Sequence, residues 1–383
     1  MTSTRDFPYS SDTTDHLNTP GDLMAAVPGV LGFYPQESLV IVGLHVETDT
    51  DHAADPDTHE LRLGPVMRAD LPHWSEITTA FTTPTMVNCD VYFAFIVTRS
   101  PDTPTVRELV DALYSLHDDT SGALIDACWV LSEIATGSHY ELSFGSVPTA
   151  WERGSVPCIA LSPAMQPLLD NGGLPALSRD DTVEFFAKIS LDDDTRDTVD
   201  GATQLAYRRG QDLHDRIEQR LPGPAEAVAD ADCALSNAPD LPLVAPYDEA
   251  LSLSAAGGED SEDPIGDDVM AVMTCLSRSR LRDAIVATAL DEPQRAATIL
   301  LYIARVTSGV IRANALSVWA IVAISTGLNS WATAALKAAS AELEGHGLST
   351  ALLEALALGC SDGLVMAVLT GSEEQRAQLR EQV

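Results

Sequence analysis

Arginine is the residue type whose position carries most chemical information in this chain, because positive charge is scarce. The sequence has 22 Lys and Arg against 57 Asp and Glu, a formal net charge of −35. Arg68 and Asp70 end one apolar segment, and Arg99 directly follows another. A guanidinium fork matches the geometry of a carboxylate or phosphate. These three residues therefore predict an anion-binding cleft; the alternative is ion pairing with the protein's own acids.

The signatures of common catalytic and cofactor sites are missing from the sequence. It contains neither G-x-G-x-x-G nor G-x-x-x-x-G-K-[ST], and neither G-x-S-x-G nor H-E-x-x-H. The six cysteines are scattered without metal-ligand spacing, as is typical of reduced core residues in a cytoplasmic protein. We therefore assign no catalytic residue, metal or cofactor, and the sequence favours a protein that is not an enzyme.

Charge and hydropathy limit the partners that the chain can have. The acidic balance disfavours direct binding to nucleic acid. No window approaches the roughly 20 apolar residues of a spanning helix, and the amino terminus lacks a signal-peptide core. We expect a cytoplasmic protein that binds a protein partner rather than a membrane.

The densest structural signal is the stretch from Leu23 to Leu44. Thr19 and Pro20 predict a helix start, and Pro28 with the following glycine predicts that the helix is short or bent. A turn follows, and then a β-branched run from Ser38 that is typical of a buried central strand. The residues that define this signature turn are Pro28, Gly32, Phe33, Tyr34, Pro35 and Ser38.

The following segments predict the rest of an α/β domain. A second strand over residues 61–71 is expected to form a hairpin with the first, and a third strand covers 90–98. Residues 106–116 have apolar positions at helical spacing, and a fourth strand covers 123–134. This order predicts an α/β sandwich with a mixed, partly parallel sheet.

Several of these segments together resemble one family. The stretch from Leu23 to Leu44, the strand end at Arg68–Leu71, and the motifs at 156–165 and 174–179 are similar to the actinobacterial proteins called domain of unknown function 4192. The resemblance covers most of the chain and implies no known activity. Many relatives carry a Cys-rich patch after the fourth strand, but residues 138–150 here contain no cysteine.

The second half of the sequence reads as a linker and a helical domain. Residues 221–277 contain no Lys or Arg and six prolines, which predicts a partly disordered acidic tether. Beyond it the pattern is helical, and Trp319, Gly327, Ala332 and Ala339 match one tetratricopeptide-like unit. We expect a flexible tail over 1–18, an α/β domain over 19–222, an acidic linker over 223–265, and a helical domain over 266–383.

Two functional hypotheses follow. The first is a non-enzymatic adaptor or assembly protein that binds partners through its helical domain, with Arg278, Arg280, Trp319 and Trp331 as interaction residues. The alternative is a protein or enzyme that binds an anionic ligand near Arg68, Asp70 and Arg99. The sequence also allows a homo-oligomer.

Overall fold

The structure is a computed structural model that describes residues 19–47, 60–77, 89–118, 122–244 and 265–381. The predicted tail, and the part of the predicted linker over 245–264, lie outside these residues. The chain divides into two compact units. The first comprises Met1–Gln166 and Pro175–Arg179, and the second comprises Pro167–Leu174 and Asp180–Val383.

The first unit is built on a mixed six-stranded sheet with the order β2-β1-β3-β6-β7-β8. β3 and β6 are parallel, and the other pairs are antiparallel, including the predicted β1–β2 hairpin. A separate two-stranded ribbon pairs β4 with β5. The strands are β1 (Ser38–Glu47), β2 (Glu60–Asp70), β3 (Val91–Val97), β4 (His117–Asp118), β5 (Gly122–Ala123), β6 (Ala127–Leu131), β7 (His139–Gly145) and β8 (Arg153–Ser155).

Both faces of the sheet are covered at its central strands β1, β3 and β6, as the continuous apolar run of β1 predicts. The helix α2 (Pro104–Ser115) packs its stripe of Val106, Leu109 and Leu113 on one face. Side chains alternate along a strand, so the residues between those of this core point to the opposite face. There Phe93 and Trp129 meet edge to face, with ring centroids 5.1 Å apart. The predicted mixed α/β architecture is confirmed.

The first helix, α1 (Pro20–Leu31), begins as the sequence predicts, with a capping box between Thr19 and Asp22. The helix does not end at Pro28 but continues through it to Leu31. The helix packs closely at Gly29: a Cβ added there would lie 2.3 Å from the carbonyl oxygen of Ala164. A glycine in this helix therefore serves close packing rather than termination.

The second unit is helical throughout its described length. In chain order its helices begin with the short α3 (Gln166–Asp170) and α4 (Arg179–Phe185), whose first residues belong to the first unit. The others are α5 (Asp193–Gln219), α6 (Pro224–Asn237), α7 (Asp267–Leu276), α8 (Ser279–Asp291), α9 (Pro293–Val306), α10 (Gly309–Ser325), α11 (Asn329–Glu342), α12 (Gly347–Ala357) and α13 (Ser361–Arg380). The predicted all-α second half is confirmed among the residues described.

The α10–α11 pair corresponds to the predicted tetratricopeptide-like unit. Gly327 ends α10 with a φ of +81°, a left-handed conformation that glycine adopts without steric cost. The small residues Ala332, Ala335 and Ala339 of α11 are fully buried, so the two helices can approach closely. This pairing is consistent with the expected repeat-like module.

The compact units divide the chain differently from the predicted domains: α3, α4 and α5 fall in the predicted α/β domain but lie wholly or mostly in the helical unit. α5 belongs to the helical unit, where Gly210 packs against Thr274 and Ser277 at the end of α7. The segment predicted as a linker contains α6, which starts with Pro224 at its first turn and buries Val228, Ala231 and Leu235. Its apolar residues recur at helical spacing and contact α7 and α8, which stabilises the helix in spite of its acidic composition.

Candidate functional site

Several of the predicted ligand-binding residues lie at one edge of the sheet. β3 and β6 are parallel, and their carboxyl ends, Val97 and Leu131, meet at this edge. Ser38, the first residue of β1, pairs with Asp70 at the end of β2 and with Val97. Ligands of α/β proteins commonly bind outside the carboxyl ends of parallel strands. This edge is therefore the candidate site.

Glu37 links three strands at the edge. Its carboxylate accepts hydrogen bonds from the Thr98 hydroxyl at 2.6 Å and from the Arg99 backbone N–H at 3.0 Å. Its carbonyl oxygen accepts from the N–H of Leu71 at 2.9 Å. The φ of Glu37 is +41°, which is unusual and costly for a residue other than glycine. Glu37 is not among the predicted site residues, because nothing in the sequence marks this backbone conformation.

Arg68 lies beneath the signature turn. Its Nε donates to the hydroxyl of Ser38 at 2.8 Å, and its Nη2 pairs with the carboxylate of Asp70. The guanidinium also lies over the ring of Phe33, 5.8 Å from the centroid. Only 10% of the Arg68 side chain is exposed. Arg68 therefore holds the turn against the sheet through its bonds to Ser38 and Asp70.

The signature turn is also held from its other side. Gly32 ends α1 with a φ of +75°, and its carbonyl accepts from the N–H of Ala176 at 2.8 Å. Tyr34 returns a bond to the carbonyl of Ala176 at 2.9 Å, and the Gln36 side chain donates to the carbonyl of Leu177. Residues 175–179 are thus hydrogen-bonded to the turn within the first unit.

Two cavities open at this edge. The smaller, of about 510 Å³, is lined by Arg68, Asp70, His73, Glu76 and Arg179, among others. The larger, of about 1220 Å³, lies beside the ends of β3 and β6; we call it the strand-end cleft. Its polar lining residues are Thr98, Arg99, Asp102, Ser132, His139, Tyr140, Glu141, Ser143, Arg153 and Ser155. Arg68 and Arg99, predicted to share one site, therefore line different cavities.

The arginines of the strand-end cleft are more accessible than Arg68. The side chains of Arg99 and Arg153 are 75% and 78% exposed. Arg99 pairs with Glu133 at 3.2 Å, and Arg153 pairs with Glu141 at 2.9 Å. Exposed ion pairs of this kind contribute about 0–1 kcal/mol each, so a ligand can displace the carboxylate.

The interaction residues predicted in the helical half have different surroundings. Trp319 and Trp331 are buried, and their rings contact Phe185 and Phe186. Both tryptophans therefore belong to the core, which corrects their proposed place on a binding surface. Arg278 and Arg280 lie at the start of α8, where they bond to Gln211 and Gln378 respectively.

The described residues give no indication of a metal centre. They contain no group of three His, Cys, Asp or Glu side chains placed to hold a metal ion. Burial raises the pKa of the Cys128 thiol well above its usual range, and that of Cys275 to about 12. Both thiols therefore act as core residues. In the same part of the chain, no helix combines the length and the apolar character that crossing a membrane requires.

Comparison with known proteins identifies the family. A family model described as a domain of unknown function (DUF4192) matches residues 20–362. The chain belongs to this family. The match includes the signature turn, both cavities and most of the helical unit. Searches of curated proteins and of solved structures gave no significant match.

Proposed function

We propose that this DUF4192 protein binds a small anionic ligand in the strand-end cleft. The observation that carries the proposal is the position of Arg99 and Arg153, two accessible guanidinium groups lining a cavity of about 1220 Å³ at the carboxyl ends of parallel strands. A cavity of this size can accommodate a metabolite. The cytoplasmic location predicted from the sequence is part of this proposal.

The chemistry of the lining favours carboxylate or phosphate. Each guanidinium can give two parallel hydrogen bonds to such a group, and the hydroxyls of Thr98 and Ser132 add neutral donors. The two arginines of the lining balance the charges of Asp102 and Glu141, whereas the chain as a whole is strongly acidic. Glu37 fixes the backbone of Arg99, which limits the entropy lost when a ligand binds.

Ligand titration tests this proposal. Inorganic phosphate and succinate serve as probes, and the melting temperature and the heat of binding are measured for the full chain. We expect both probes to raise the melting temperature, because a ligand that binds only the folded state stabilises it. Arg99→Ala and Arg153→Ala should each weaken binding about tenfold or more, in line with the loss of a charged hydrogen bond.

Arg107→Ala is the matched control, since Arg107 is exposed on α2 and does not line the cleft. It removes the same charge and should leave binding within about twofold of the unmodified protein. Equal weakening in all three variants would indicate a general charge effect and contradict the proposed site. The proposal would also be contradicted if neither phosphate nor succinate shifted the melting temperature or released heat on binding.

A second function, assembly through the helical unit, is favoured by a different observation. Near the end of that unit Leu358 and Met366 are 55% and 62% exposed, although both are large and apolar. Exposed apolar side chains at the end of a helical array suit a contact with another protein. Affinity capture with the tagged full chain tests this role, with Met366→Glu as the negative control. An identical set of captured proteins in both samples would count against it.

A further inference from the structure

The lining of the strand-end cleft includes a row of side chains on three neighbouring strands. In the strand ladder Glu141 of β7 lies opposite Val130 of β6 and opposite Arg153 of β8. Residues opposite one another in a sheet point to the same face, so the three side chains lie side by side. Glu141 and Arg153 are both exposed, and a ligand in the cleft can therefore reach the two charges of this row.

Opposite charges are balanced in this lining. The Arg153 guanidinium pairs with the Glu141 carboxylate at 2.9 Å. The lining contains two arginines, Arg99 and Arg153, and two acids, Asp102 and Glu141, so their formal charges cancel. A ligand that brings only negative charge disturbs this balance, because it leaves the displaced Glu141 carboxylate beside a second anion.

We propose that the ligand of the strand-end cleft is an amino acid, whose carboxylate pairs with Arg153 and whose ammonium group pairs with Glu141. Such a zwitterion replaces one ion pair within the protein by two ion pairs with the ligand. Neither charge of the protein then loses its partner. The inference rests on the anion-binding role proposed above and names the chemical class of the ligand.

A second guanidinium in the lining suits an acidic side chain on this amino acid. Arg99 pairs with Glu133 at 3.2 Å, and both side chains are more than half exposed. Glu133 does not line the cleft, so a ligand carboxylate can take its place on Arg99 without lying beside it in the cavity. An acidic amino acid offers one carboxylate to each arginine, and L-aspartate is the probe of this kind.

Two matched probes test the inference, because L-aspartate is succinate with one hydrogen replaced by an ammonium group. The heat of binding to the full chain gives the dissociation constant of each probe near neutral pH. We expect L-aspartate to bind about fivefold tighter than succinate or more, since the attraction between one exposed pair of unit charges in contact is of that order.

Glu141→Gln keeps the size of the side chain and removes its charge. It should weaken the binding of L-aspartate about fivefold. The binding of succinate should stay unchanged or become tighter, because Arg153 loses its competing carboxylate. Glu108→Gln is the matched control, since Glu108 is exposed on α2 and does not line the cleft. It removes the same charge and should change the binding of both probes by less than about twofold.

The possible results distinguish this inference from the role on which it rests. Succinate that binds as tightly as L-aspartate would overturn the amino acid and keep the anion site. A preference for L-aspartate that is undiminished in Glu141→Gln, with the variant folded by its melting temperature, would also overturn the inference. Absence of heat with both probes in the unmodified protein would contradict the inference and the proposed anion site together.

Discussion

At the scale of single residues, Glu37 combines a costly backbone conformation with three hydrogen bonds that join β1, β2 and β3. Strain of this kind persists only where surrounding contacts hold it, and it is common at functional sites. Here the carboxylate of the strained residue accepts the backbone N–H of Arg99, which lines the strand-end cleft. We therefore regard the conformation of Glu37 as part of the site's preorganisation.

Two substitutions separate the strain of Glu37 from its hydrogen bonds. Glu37→Ala keeps the strain and removes both bonds to the carboxylate, so we expect unfolding to become easier by about 2 kcal/mol. Glu37→Gly removes the same bonds but accepts the positive φ, so it should recover about 1 kcal/mol of that loss. Urea unfolding measures both. A glycine variant less stable than the alanine variant would contradict this account.

Arg68 is expected to stabilise the signature turn rather than to bind ligand. Arg68→Ala removes bonds to Ser38 and Asp70 and should lower the free energy of unfolding by about 2–3 kcal/mol. Phosphate binding by the remaining folded protein should be unchanged. Arg107→Ala again serves as the control and should change stability by less than about 0.5 kcal/mol. A loss of binding without a loss of stability would reverse the assignment.

The sequence could predict the residue types of this edge but not their division of labour. Scarce arginines and a dense motif stand out in an acidic chain, and they indicate Arg68, Asp70, Phe33 and Ser38. Which guanidinium is accessible depends on packing between segments distant in sequence, and that has no local signature. Trp319 was misplaced on the surface for the same reason: a large aromatic residue suits a core and an interface equally well.

At the scale of secondary-structure elements, a buried ion pair joins four segments of the helical unit. Arg312 of α10 donates to the carbonyl of Phe186 at 2.7 Å and to the carbonyl of Ala304, and it pairs with Glu342 of α11. Burial alone raises the pKa of Glu342, but the Gly309 N–H, and the charges of Lys188 and Arg312, bring it below its ordinary value. The network therefore fixes the crossing of α10 and α11.

Removing one charge from this pair should be costly. Arg312→Met leaves the carboxylate of Glu342 partly buried without its guanidinium partner, so we expect a loss of about 3–5 kcal/mol. Arg312→Met combined with Glu342→Gln should cost less than the sum of the single substitutions, because neither member of the pair is left partly buried without the other. Chemical denaturation of the four proteins gives the coupling. Strict additivity would show that the two groups do not act together.

His346 makes the stability of the helical unit depend on pH. Its Nδ1 accepts the Ser349 N–H at the start of α12, and its Nε2 donates to Asn314 of α10 at 2.9 Å. Burial, and then the nearby charge of Arg282, lower the pKa of His346 below its ordinary value. The folded protein thus holds the neutral ring, while the unfolded chain takes up a proton below about pH 6.5.

It follows that this contribution to stability is complete above about pH 6.5 and decreases as the pH falls towards the lower pKa of the folded state. The decrease should not exceed about 1.4 kcal/mol per pH unit for one group. His346→Gln keeps a polar side chain but cannot titrate, so its stability should vary less between pH 7.5 and 5.5. Equal pH dependence in both proteins would exclude His346 as the cause.

Element boundaries show where local sequence rules give way to packing. The start of α1 was predictable because capping is a local interaction, but its continuation through Pro28 depends on how the helix packs. In the same way α6 forms within an acidic, proline-containing segment because its apolar residues meet α7 and α8. Composition averaged over a long window does not reveal such a helix.

At the scale of the whole molecule, the sequence indicates the fold class well, because the fold class follows from the spacing of apolar residues along the chain. A β-branched run predicts a doubly covered strand, and repeated helical spacing predicts a helical second half. The division into units is less accessible, since it depends on which helices contact one another. The sequence predicts a tether over 223–265, whereas the compact units place α6, which lies in that range, in the helical unit. An experiment can test whether α6 stays packed in the helical unit in solution.

Limited proteolysis tests whether α6 stays packed in the helical unit. The composition of residues 245–264 predicts preferential cleavage there by a protease of broad specificity, such as proteinase K; trypsin would find no Lys or Arg in that segment. If the predicted tether separates two independent domains, the fragments part after cleavage. We expect them to remain together, because α6 packs on α7 and α8 and Asp232 pairs with Arg376 of α13.

Asp232→Ala should weaken this association by removing the partner of a half-buried arginine, without moving the cleavage site. Fragments of the unmodified protein that separate on size exclusion in native buffer would show that the contacts of α6 are too weak to hold the chain together.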